Sequence, residues 1–151
     1  MKVFIDANIP MYAAGKSSPY KEPCKEILGR IANGTLDGVT DVEVFQEILY
    51  RYYYIGKQDI GHRIFANFRT IMDTVLSICA ADVFLAHTLM GQYPQVPPRD
   101  LLHAAVMENN GLDAILSADR DFDTIEGIER LDPMDWLSIE IEAEEGEDDS
   151  L

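Results

Sequence analysis

The sequence predicts one α/β domain, a three-layer arrangement with a central, mostly parallel sheet between helices. Three observations lead there. Short apolar runs alternate with longer stretches of helical periodicity, the pattern of strand–helix–strand units. The runs at residues 1–5 and Ala114–Ser117 are apolar almost throughout, as strands buried on both faces must be. A chain of 151 residues with 47% hydrophobic content builds a core without staples.

Taken in order, residues 1–5 read as a buried strand that Asp6 ends, and a short helix follows through Met11 to Ala14. Gly15 to Pro19 forms a turn. Tyr20 to Ala32 is helical, with Cys24, Ile27, Leu28 and Ile31 at helical spacing, and Asn33-Gly34 stops it. Asp37 to Thr40 is a very short strand. Val42 to Tyr54 is a helix with Val44, Ile48 and Tyr52 on one face, and Ile60 to Met72 is a second helix after the break at Gly56. Thr74 to Ile78 is a strand by its β-branched content, and Ala80 to Met90 a helix. A loop with three prolines, Gly91 to Pro98, leads into a helix from Arg99 to Asn109 that ends at Asn110-Gly111. Ala114 to Ser117 and Glu129 to Leu131 complete the strands. The folded domain is expected to span residues 1–138. Residues 139–151 are expected to form an acidic tail, disordered or a frayed helix end.

Charge constrains partners. The formal net charge is −15, and seven acids without a base occupy residues 140–151; the remainder still carries −8. Such a surface repels nucleic acid, because affinity for phosphate comes mainly from Lys and Arg. If the chain handles nucleic acid, a bound cation must reverse the field at the site. Cys24 and Cys79 share no motif with each other or with histidine and read as reduced thiols of a cytoplasmic protein. Asp6 interrupts the early apolar run, which excludes a signal peptide, and Asp82 interrupts VLSICAADVFLA, which excludes a membrane span.

Four acids stand where strands or helices end beside apolar residues: Asp6 in KVFIDANIP, Glu47 in VEVFQEIL, Asp100 in PPRDLLHAAV and Asp119 in AILSADRDFD. A carboxylate beside a core is costly unless a proton, a cation or hydrogen bonds compensate it. Read singly, Asp6 is a helix cap, Asp100 a first-turn acid and Glu47 a surface charge. Glu43 and Glu47 share a helix face, and register alone does not choose between them. His103 lies one turn from Asp100, either at the core edge or as its hydrogen-bond partner; the two do not make a zinc site without further His or Cys. Asp119, Asp121 and Asp123 alternate, but a calcium loop requires Gly and Glu where Thr124 and Arg130 stand. If several of these carboxylates converge, the oxygen-only donor set suits Mg²⁺ or Mn²⁺.

The order of these motifs resembles the PIN domain, in particular the VapC-type toxin ribonucleases. Asp6-Ala7-Asn8 resembles the opening motif, Glu47 the helix acid, Asp100 to Ala105 the third motif and Ser117 to Phe122 the fourth, over about residues 2–135. The resemblance implies a metal-dependent endoribonuclease, the toxin of a toxin–antitoxin pair, with an antitoxin partner and a homodimeric state. It implies that Asp6, Asp100 and Asp119 hold one or two Mg²⁺ or Mn²⁺ ions with Asp121 as an auxiliary ligand. Glu47 would bind metal or orient the attacking water, and Asn8, Ser117 and His103 would support these groups. Pro10, Ser117 in place of Thr, and the acidic tail depart from the pattern. A PIN nuclease of RNA processing without an antitoxin and a non-enzymatic interaction module are the alternatives. A response-regulator phosphoacceptor is excluded, because Asp6 follows the first strand alone.

Overall fold

The computed structural model describes residues 1–136 and Ser138; the predicted tail, residues 139–151, lies outside the described residues. Five strands, β1 (Lys2–Ile5), β2 (Asp37–Asp41), β3 (Thr74–Leu76), β4 (Ala114–Leu116) and β5 (Glu129–Leu131), form one sheet in the order β3-β2-β1-β4-β5. Every pairing is parallel. The helices that flank these strands are α1 (Asn8–Ala14), α2 (Lys21–Ala32), α3 (Val42–Tyr54), α4 (Gln58–Ile71), α5 (Ala80–Gln92) and α6 (Pro98–Asn109). The two crossovers from β1 to β2 and from β2 to β3 run the same way along the sheet, and the crossover from β3 to β4 runs back. Right-handed connections therefore put α1 to α4 on one face and α5 with α6 on the other. The helix contacts divide along the same line: α1 packs on α2, α3 on α4, and α5 on α6. This is the three-layer α/β/α fold that the alternation of strands and helices predicts.

Burial explains the pattern of elements. Val3, Phe4 and Ile5 of β1 and Ile115 and Leu116 of β4 are fully buried, because helices cover both faces at the centre of the sheet. The edge strand β3 is largely exposed, as few neighbours reach it. Cys24, Ile27 and Ile31 of α2 face the core at the predicted spacing, and Gly34 ends the helix at φ 81, a conformation that costs glycine little. Several features differ from the sequence expectation: β3 ends at Leu76 and not at Ile78, and α5 runs on to Gln92, past Met90. A 3-10 turn at Arg120–Thr124 occupies a segment to which the sequence assigns no helix or strand, held by the Asp119 side chain accepting from the Asp121 amide. The helix α4 begins earlier, at Gln58.

Helices α3 and α4 meet at Gly61, where a Cβ would lie 2.6 Å from the Tyr52 Cβ. Neither atom is the free end of a flexible side chain, so the helices would have to separate. Gly61→Ala is therefore expected to lower stability by about 1–3 kcal/mol, despite the better helix propensity of Ala. Urea denaturation checks this; an unchanged midpoint would show that the helix pair yields freely.

Candidate active site

The strand order reverses between β1 and β4, and the crevice outside their carboxyl ends is where open α/β sheets bind ligands. Asp6 directly follows β1, and its amide donates to the Leu116 carbonyl of β4, so the two strand ends are locked side by side. Ser117 to Asp119 follow β4. The helix α3 brings Glu47 and α6 brings Asp100 to the same place. Asp6, Asn8, Glu47, Arg99, Asp100 and Asp119 line one cleft of about 340 Å³. Four carboxylates that are distant in sequence thus meet at the carboxyl edge of the sheet.

Asp6 does not cap α1 with its side chain. Its Oδ1 accepts from the Ala7 amide at 2.8 Å, and its Oδ2 accepts from the Ser117 hydroxyl at 2.6 Å and from Asn8 Nδ2 at 3.1 Å. Asn8 Nδ2 also donates to Ser117 Oγ, and Asn8 Oδ1 accepts from the Ala118 amide. Ser117 Oγ in turn accepts from the Asp119 amide at 3.0 Å. Asn8 and Ser117 therefore splice the two strand ends together and fix how Asp6 and Asp119 face each other.

His103 has different partners from those its spacing suggested. It is fully buried, with Nδ1 2.7 Å from Asp41 Oδ2 and Nε2 3.1 Å from Glu47 Oε1. Asp41, at the end of β2, also caps α3, its Oδ1 accepting from the Val44 amide at 3.0 Å. A continuous chain thus runs from the α3 cap through His103 to Glu47. No motif or spacing in the sequence singles out Asp41. The only local signal is a capping residue before a helix, which is correct and says nothing of burial. The structure also separates Glu47 from Glu43: the Glu47 side chain is 10% exposed and the Glu43 side chain 24%, and both pair with Arg99 Nε, at 3.4 and 3.5 Å. Arg99 lies over the Tyr50 ring, 5.6 Å from its centroid.

The electrostatics are those of carboxylates short of countercharge. Burial pushes Asp6 and Glu47 above the usual carboxylate range, although hydrogen bonds and His103 pull the other way. Burial would lower the His103 pKa, but the Asp41 and Glu47 carboxylates outweigh it and hold it well above its ordinary value. Burial, reinforced by the adjoining Asp119, pushes Asp100 up to about 8. Burial and Asp119 raise Asp121 as well. Ligand atoms of Asp100, Asp119 and Asp121 lie within 4.8 Å of one another, as do those of Asp6, Glu47 and His103. Both nitrogens of His103 already face carboxylates, so its place is beneath the cleft as a brace. The oxygens of Asp100, Asp119 and Asp121 make a donor set that suits a hard divalent cation, whose charge would relieve the repulsion among these carboxylates and Asp6 beside them.

A pH dependence follows. The folded Asp100 pKa, about 8, exceeds the value of about 4 of an unfolded carboxyl, so the metal-free folded state binds more protons between these limits. Metal-free stability should fall as pH rises from about 4 to 8. Affinity for a divalent cation should rise over the upper part of that window, because binding displaces the proton. Thermal melts in EDTA across this range, repeated with Mn²⁺, check both signs; metal-free stability that rises with pH would contradict the assignment.

The family model of the PIN domain matches residues 3–128. The chain belongs to the PIN domain family, among its VapC-type members. It is 37% identical over 129 residues to Ribonuclease VapC13 of Mycobacterium tuberculosis, covering 85% of this chain and 98% of that one. This PIN domain also shares its fold with VapBC2 from Rickettsia felis, solved bound to a promoter DNA fragment (TM-score 0.68, 18% identity, covering 87% of this chain and all of that one). The sarcin–ricin loop cleaving toxin VapC20 of M. tuberculosis is similar too (TM-score 0.65, 15% identity, covering 80% and 92%).

Proposed function

We propose that this PIN domain is the toxin of a VapBC-type pair, a divalent-metal-dependent endoribonuclease that hydrolyses phosphodiester bonds of RNA. The observation that carries the reading is the meeting of Asp6, Glu47, Asp100 and Asp119 in one cleft at the sheet's switch point. Similarity to proteins described as VapC ribonucleases, at 37% identity and near-complete coverage, supports the reaction class. Likeness to a VapBC assembly supports an antitoxin partner.

Asp6, Asp100 and Asp119 would hold one or two Mg²⁺ or Mn²⁺ ions, with Asp121 as an auxiliary ligand. When bound, the metal supplies Lewis-acid stabilisation of the phosphate's developing charge and makes water a nucleophile near neutral pH. The chain's own groups do the positioning. Both the His103 and the Arg99 contacts fall on Glu47 Oε1, which would leave Glu47 Oε2 to orient the attacking water. Ser117 and Asn8 keep Asp6 Oδ2 in place by donating to it. A homodimer and a cytoplasmic location complete the proposal. The exposed apolar side chains of Tyr53, Tyr54 and Phe84 suit the first, and two free cysteines suit the second.

Incubating purified protein with structured RNA tests the reading. Cleavage is expected with Mg²⁺ or Mn²⁺, none in EDTA, and recovery on adding back the cation. No cleavage of any RNA under any of these conditions would favour a binding module.

A further inference from the structure

The acidic cleft continues into a second one of about 460 Å³, with which it shares Asn8, Met11 and Arg51. The far part of this second cleft carries Lys16 and Lys57 and the Tyr12 ring, which stacks on Tyr20 at 5.0 Å. The three cations arrive from separate elements: Lys16 just beyond α1, Arg51 in the last turn of α3, and Lys57 at the N-cap of α4. All three are exposed, and they make no ion pair among the described residues. Elsewhere in the same chain, Lys25, Arg99 and Arg130 are each engaged by a carboxylate. In a chain of net charge −15, three unneutralised cations in one cleft that opens onto the carboxylate cluster are a local reversal of the field.

We infer that this cleft is the track for the RNA strand. Lys16, Arg51 and Lys57 hold the phosphates flanking the scissile one, and Tyr12 offers aromatic surface to a base. The inference rests on the ribonuclease reading and adds the binding path. It has a physical motive: the acidic site itself repels RNA, so affinity must come from cations beside it. It also divides the chain's basic residues. Arg69 lines a different, apolar groove with Val42 and Val75, and Arg99 is bound to Glu43 and Glu47.

The test is fluorescence anisotropy of a labelled single-stranded RNA, with salt titration, in the Asp6→Asn background so that the strand stays intact. Adding Lys16→Gln and Lys57→Gln together should weaken binding about tenfold at low salt. It should also flatten the log affinity against log salt plot by about 1.4, at about 0.7 per lost contact on a single strand. Adding Arg63→Gln and Arg69→Gln, an equal charge change on α4, should leave both quantities close to the parent's. An unchanged slope in the first pair, or an equal loss in the second, overturns the track. If the wild-type chain cuts RNA while the lysine pair binds as its parent does, the track fails alone. If the wild-type chain neither binds nor cuts RNA with any cation, the ribonuclease reading fails and the track with it.

Discussion

Asp6→Asn is expected to abolish RNA cleavage, by a factor of about 10³ or more, and to leave the fold intact. Metal-ion stabilisation of a phosphoryl transition state is worth several kcal/mol, and each 1.4 kcal/mol is a factor of ten. Asn keeps an oxygen to accept from the Ala7 amide and loses the negative charge that would hold the cation. It also removes a buried carboxylate whose burial already raises its pKa, but puts an amide NH2 where Oδ2 accepts from Ser117 and Asn8, so the two effects oppose and metal-free stability should stay within about 1–2 kcal/mol of the wild type. The two readouts are separate. Cleavage reports the charge, and a melt with and without Mn²⁺ reports metal binding, whose stabilising shift should shrink in the variant. Full activity in Asp6→Asn would remove the carboxylate cluster from the mechanism altogether.

The second large effect lies beneath the cleft. His103→Ala is expected to cost about 3–5 kcal/mol, the range for removing one partner of a buried charged network. The imidazole is fully buried between Asp41 and Glu47 and packs 5.4 Å from the Phe4 ring. Without it, Asp41 keeps a carboxylate at zero exposure with only the Val44 amide to satisfy it, and a cavity opens below β1. Against a total stability of about 5–15 kcal/mol, the domain would become marginal. A double cycle with Asp41→Asn separates coupling from cavity, since contacting groups deviate from additivity by about 0.5–3 kcal/mol. A cost below about 1 kcal/mol for His103→Ala would mean that the network carries no net charge energy. The variant's residual cleavage, measured below its melting temperature, should also fall, because Glu47 loses the contact that aims it.

Helix and strand positions were largely legible because each rests on local signals. The α3 bounds coincide with the periodic stretch Val42 to Tyr54, since Asp41 caps its start and the tyrosine run ends its apolar face. The turn at Arg120–Thr124 was not legible, because the Asp119 side chain that holds it also reads as one of an alternating acid series. The site residues were legible only as an ordered set. Individually Asp6, Glu47, Asp100 and Asp119 are ordinary caps and surface acids.

What the sequence by itself determined is the α/β class, the family pattern and the order of its acidic motifs. These depend on apolar periodicity and on residue type at strand and helix ends, both of which are local. Only the tertiary structure decided that Glu47 and not Glu43 turns inward, that His103 braces Glu47 against Asp41, and that Lys16, Arg51 and Lys57 share one cleft. Those facts depend on which strands are neighbours. The β2-β1-β4 order sets Asp41, Asp6 and Asp119 side by side at one sheet edge, and no spacing along a single chain encodes a distance across three strands.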